Sequence, residues 1–129
     1  MDQSLVDANL AAARRICEGW HVLTLEEFRE VCDPQMDYRN IPIEGDRHIG
    51  PEAAHAVLSS FGRKWDIRLQ IDNIVADERI VMTERTEFFV HKGGLKPDFA
   101  LPVMGIFEVS NGKITAWRDY FELSHLRVR

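Results

Sequence analysis

"ITAWRDYFEL", residues 114–123, alternates between apolar and polar positions with a period of two. Read as a strand, it places Thr115, Trp117, Asp119, Phe121 and Leu123 on one face and Ile114, Ala116, Arg118, Tyr120 and Glu122 on the other, because successive strand side chains point to opposite sides of a sheet. Asp119 is then the lone charge on a largely apolar face. A buried carboxylate without a partner either costs several kcal/mol or takes up a proton, so this strand demands a cation from elsewhere in the fold.

Working backward, the Asn-Gly of Ser110-Asn111-Gly112-Lys113 is a strong hairpin signal. It joins the last strand to another at Phe99 to Val109. Two further period-two runs precede them, Ile80 to Val90 and the segment in which Trp65, Ile67, Leu69 and Ile71 alternate with polar neighbours. The connections at Ala76-Asp77-Glu78 and Gly93-Gly94 are short, which predicts an antiparallel meander of four strands.

The first half has a different period. Val6, Leu10, Ala13, Cys17 and Trp20 recur at helical spacing. Thr24 and Glu27 have the spacing of a capping box ahead of a second helix with Leu25, Phe28, Val31 and Cys32 on its apolar side. Tyr38 to Gly45 reads as a short strand entering a loop. A third helix starts at Gly50-Pro51-Glu52, has Ala54, Val57, Leu58 and Phe61 on one face, and can end at Gly62. Helices segregated to one face of a meander make an α+β architecture, and 129 residues predict a single domain over 1–129.

An apolar fraction of 45% and a charged fraction of 29% place the chain among globular proteins and exclude a disordered one. The net charge of −5, with no basic run, argues against nucleic acid as a partner. No apolar run approaches a membrane span and no secretory signal is visible, so a cytoplasmic protein is expected. Cys17 and Cys32, both assigned to helices, read as buried free thiols. His48 and His55 make a poor metal pair, and no metal is expected.

In "VMTERTEFFV", residues 81–90, Val81, Thr83, Arg85, Glu87 and Phe89 share a face. Arg85 can pair with Glu87, and is the best candidate partner for Asp119. Two carboxylates on one buried arginine tend to keep one proton between them, which supplies an acid and a base at neutral pH. Structural ion-pair networks have the same composition, so both readings stand on these residues alone. Tyr38 and Asn40, two apart on a strand, can hold a water; equally, Asn40 opens a turn and Tyr38 packs.

Together, "YRN" (38–40), "TERTE" (83–87) and "GKITAWRDYFEL" (112–123) resemble the limonene-1,2-epoxide hydrolase family. The resemblance implies a cone-shaped, strongly curved mixed sheet wrapped around three helices of the N-terminal half, the fold shared with nuclear transport factor 2, ketosteroid isomerase and SnoaL-like cyclases. It implies catalytic roles for five residues. Asp119 would take a proton from water, Tyr38 and Asn40 would hold that water, Arg85 would bridge the carboxylates, and Glu87 would protonate the opening epoxide. Glu87 stands where the family pattern has aspartate, which bears on the substrate more than on the reaction class. Trp117, Phe121, Phe89, Val81 and Leu69 are the candidate walls for a small lipophilic epoxide. No cofactor is implied, and a homodimer through Ile114, Tyr120, Met104 and Ile106 is expected. The competing readings are a SnoaL-like cyclase or ketosteroid isomerase-like enzyme, which Arg85 disfavours by lowering the basicity of Asp119, and a non-catalytic ligand-binding dimerisation module.

Overall fold

A computed structural model describes residues 1–127. The elements run α1 (Gln3–Gly19), α2 (Leu25–Val31), β1 (Cys32–Asn40), β2 (His48–Ile49), α3 (Pro51–Lys64), β3 (Trp65–Ala76), β4 (Ile80–His91), β5 (Phe99–Ser110), β6 (Lys113–Tyr120) and α4 (Ser124–Arg127). Six strands form one curved sheet in the order β2-β1-β6-β5-β4-β3. The last four strands are the expected antiparallel meander. β1 joins it in parallel to β6, which makes the sheet mixed.

Local chemistry explains the joints. At the start of α2, Thr24 Oγ1 accepts from the Glu27 N–H at 3.1 Å while Glu27 Oε1 accepts from the Thr24 N–H at 3.0 Å, a reciprocal cap of the expected kind. The β5–β6 hairpin has Asn111 at φ 52° and Gly112 at φ 76°, the left-handed pair that matches the twist of the flanking strands. The inner face of the sheet closes over α1 and the other helices. Trp117, Phe107, Ile16, Phe28 and Met36 are fully buried there, and each such side chain contributes roughly 1.5–3 kcal/mol by its removal from water.

Four expectations are corrected. Cys32 opens β1 rather than ending α2, so the strand carrying Tyr38 is nine residues long. Gly62 lies inside α3, which continues to Lys64; a Cβ at this position would collide with the backbone carbonyl of His21, so the glycine permits close packing instead of ending the helix. Ile114 is completely buried, because the register between β5 and β6 slips at Glu108/Val109 and carries it to the inner face. Phe61, read as part of the apolar face of α3, is 41% exposed. Among the described residues no helix is long and apolar enough to cross a membrane.

Candidate active site

Three neighbouring strands build the polar centre. β4 presents Thr83, Arg85 and Glu87 on its inner face, β6 presents Asp119, and β5 between them contributes Gly105, which is in register with both Thr83 and Asp119. Arg85, 1% exposed, lies across the glycine. Its Nη2 donates to Asp119 Oδ2 at 2.8 Å and to Glu87 Oε2 at 3.0 Å, and its Nη1 donates to Thr83 Oγ1 at 2.9 Å. The Trp117 indole donates to the other oxygen of Asp119 at 2.9 Å.

The expected pairing therefore exists, and a single guanidinium nitrogen serves both carboxylates. Burial pushes the Glu87 carboxyl up to about 7; Arg85 pulls it down and the negative charge of Asp119 pushes it further up. Burial is also the main reason that the Tyr38 hydroxyl is held well above its usual range, with Asp119 adding to it. Cys17 packs near this charge cluster, and burial raises its thiol to about 12, leaving it protonated.

Beside β6, the parallel register pairs Tyr38 with Trp117 and Asn40 with Asp119. Tyr38 points inward, 3% exposed, with its ring 4.4 Å from that of Trp117. Its hydroxyl lies 3.1 Å from Asn40 Nδ2 and 3.3 Å from Asn40 Oδ1. Thus four of the five proposed catalytic side chains, Tyr38, Asn40, Glu87 and Asp119, line one cavity of about 270 Å³, while Arg85 lies behind the carboxylates.

Apolar side chains make up most of the rest. Trp117, Phe121 and Phe89 line the cavity as expected, joined by Trp20, Leu101 and Val103. Val81 and Leu69 do not line it. Val81 is fully buried in the core, and Leu69 packs against the core from β3, next to Glu87 on the neighbouring strand. Phe61 and Lys96 also line the cavity, and the exposed position of Phe61 places it toward solvent.

Two further positions that contact these side chains were not singled out by the alternation. Gly105 reads as a weak point in a strand, yet a Cβ there would lie 2.7 Å from Asp119 Oδ1 and collide with Arg85. The side chain of Asp46, in the loop after β1, accepts from both the backbone N–H and the side-chain amide of Asn40. A glycine in the interior of a strand was the available clue for the first; the second has no periodicity to reveal it.

The pattern of the limonene-1,2-epoxide hydrolase catalytic domain matches residues 20–128. Epoxide hydrolase EphG of Mycobacterium tuberculosis (strain ATCC 25618 / H37Rv) is 46% identical over 86 residues, covering 67% of this chain and 54% of that protein. The chain thus spans about half the length of this curated relative. The structure of an M. tuberculosis epoxide hydrolase resembling the limonene-1,2-epoxide hydrolases superposes with a TM-score of 0.73 at 25% identity, covering 95% of this chain and 89% of that one. A proposed SnoaL-like polyketide cyclase from Jannaschia sp. CCS1 reaches a TM-score of 0.81 at 15% identity over 96% and 92% of the two chains, a likeness of fold alone. The matched domain covers most of the sequence and includes every strand of the site, and the chain belongs to the limonene-1,2-epoxide hydrolase family.

Proposed function

We propose that the protein hydrolyses a small lipophilic epoxide to a vicinal diol in one step, by general acid/base attack of water. The observation that carries this reading is the pair of buried carboxylates on Arg85 Nη2, both facing the same apolar cavity. A pair of this kind offers two protonation states at once. The elevated Glu87 carries a proton over part of its population near neutrality, while Asp119, bonded to Arg85 and Trp117, is the acceptor.

In this mechanism a water lies between Tyr38, Asn40 and Asp119. Asp119 takes one of its protons as the water oxygen forms a bond to an epoxide carbon. The carbon–oxygen bond of the ring breaks, and its electron pair takes the proton of Glu87. The product is a diol inverted at the attacked carbon. The site resets when Asp119 releases its proton and Glu87 regains one. Arg85 transfers no proton in this cycle, because its guanidinium is charged throughout; it holds the acid and base in place.

A cavity of about 270 Å³ with mainly aromatic and aliphatic walls suits a ligand at the small end of the usual range. The family likeness further supports a homodimer through the outer sheet face, where Met82, Met104 and Tyr120 are exposed. The test of the reaction is single-turnover hydrolysis of cyclic and aryl epoxides in ¹⁸O-labelled water. Label in the first-turnover diol supports direct attack by water. Label appearing first in the protein, or no diol from any epoxide, overturns the reading.

A further inference from the structure

The loop between β1 and β2 holds a carboxylate against the back of the site. Asp46 Oδ2 accepts from the Asn40 backbone N–H at 2.9 Å and from Asn40 Nδ2 at 3.1 Å. Its Oδ1 lies 3.0 Å from His48 Nε2, and the side chain is 16% exposed. His48 also packs on Tyr38, with ring centroids 5.6 Å apart. Both residues assigned to hold the water are therefore braced by this pair.

The bond between Asp46 and Asn40 settles a choice that Tyr38 leaves open. A tyrosine hydroxyl can donate or accept, and it is nearly equidistant from the two ends of the Asn40 amide. A carboxylate only accepts. It must therefore face the NH₂ end, which leaves the carbonyl as the free end of an amide that lines the cavity.

We propose that Asp46 is a positioning residue that fixes Asn40 with its carbonyl toward the nucleophilic water. This rests on the hydrolytic reading above. With Nδ2 donating to Asp46 and Tyr38, the hydroxyl proton of Tyr38 is free to bind the water oxygen. The water donates one hydrogen bond to Asn40 Oδ1 and the other to Asp119, and its remaining lone pair is directed at the epoxide carbon. A flipped amide would present a donor instead and occupy the lone pair that attacks.

The test is a double-mutant cycle on cyclohexene oxide and styrene oxide, together with amide exchange in the resting protein. Asp46→Ala is expected to lower kcat by about ten- to a hundredfold, the scale set by a misplaced reacting group, with KM changed less than threefold. Asp46→Asn keeps an acceptor at the same point and is expected to recover most of that loss. In an Asn40→Ala background, Asp46→Ala is expected to cost nothing further. Effects that multiply, or a wild-type kcat in Asp46→Ala, would overturn the proposal. The second arm follows the Asn40 side-chain NH₂ of ¹⁵N-labelled protein, whose exchange is expected to be at least about tenfold slower in wild type than in Asp46→Ala. Equal exchange overturns the positioning role even if neither epoxide is turned over, so failure here is distinct from failure of the hydrolytic reading.

Discussion

Gly105 stands opposite Asp119 in the β5–β6 register, and its bare Cα leaves the space through which Arg85 reaches the carboxylate. A Cβ at this position would lie 2.7 Å from Asp119 Oδ1 and 3.0 Å from Thr83 Oγ1, and would collide with Arg85 Nη1. The guanidinium is enclosed on all sides and has nowhere to retreat. Gly105→Ala is therefore expected to separate a buried ion pair, which costs about 3–5 kcal/mol, and to abolish turnover. Urea denaturation measures the first effect and epoxide consumption the second. An alanine variant of unchanged stability would contradict the packing account.

Asp119→Asn separates catalysis from folding. The amide nearly matches the carboxylate in shape and can still accept from Arg85 with its oxygen, but it cannot take a proton from water. The expected loss in kcat is about 10²–10⁴-fold, with an unchanged far-UV circular dichroism spectrum. The variant also removes a negative charge that raises the Glu87 carboxyl. The Glu87 carboxyl is thus expected to titrate below about 7 in this variant, read by ¹³C chemical shift. Retained turnover would reject Asp119 as the base.

The elevated Glu87 carboxyl gives activity and stability pH dependences of predictable sign. As the acid, it must be protonated in the free enzyme, so kcat/KM is expected to fall as pH rises through about 7. For stability, the folded value lies above the ordinary 4.5. Between those limits the native state holds a proton that the unfolded chain has released, so this group's contribution to stability is full below about pH 4.5 and declines toward about pH 7. Glu87→Gln is expected to remove that decline and to abolish proton donation. Parallel denaturant titrations at several pH values compare the two proteins; an identical pH slope would exclude Glu87 as its source.

The sequence was most legible where one physical rule governed a run of residues. Alternation put Asp119 on an apolar face and Arg85 with Glu87 on one face of their strand, and the need of a buried carboxylate for a cation joined them; all three are buried, and Thr24 with Glu27 and Asn111 with Gly112 marked their joints correctly. It failed where a single insertion or a tertiary contact overrode the local period. The slip at Glu108/Val109 turned Ile114 inward. Leu69 and Val81 share faces with polar neighbours but stand off the cavity, since face periodicity gives the side of a sheet and not the depth along it. Gly105 and Asp46 matter through what they adjoin in three dimensions, and neither relation leaves a spacing in the chain.

The outer face gives the last prediction. Met82 is in register with Ile106, and Met104 with Tyr120, on adjacent strands. Met82, Met104 and Tyr120 are 46%, 52% and 46% exposed, so they offer an apolar patch on the side of the sheet opposite the cavity. The ion pair between Arg118 and Glu108, 2.6 Å long, lies beside it and gives the patch a polar margin of the sort that borders protein interfaces. A second copy of the chain would bury this patch across a two-fold axis, in which each residue meets the partner's version of the same surface. Static light scattering at micromolar concentration is expected to give twice the chain mass, and Met104→Lys is expected to return it to one, because an unpaired ammonium at an apolar interface is costly to desolvate. Since Met104 points away from the cavity, single-turnover chemistry should survive the substitution. A wild-type protein that scatters as a monomer would remove the dimer from the account and leave the acid/base site standing on its own geometry.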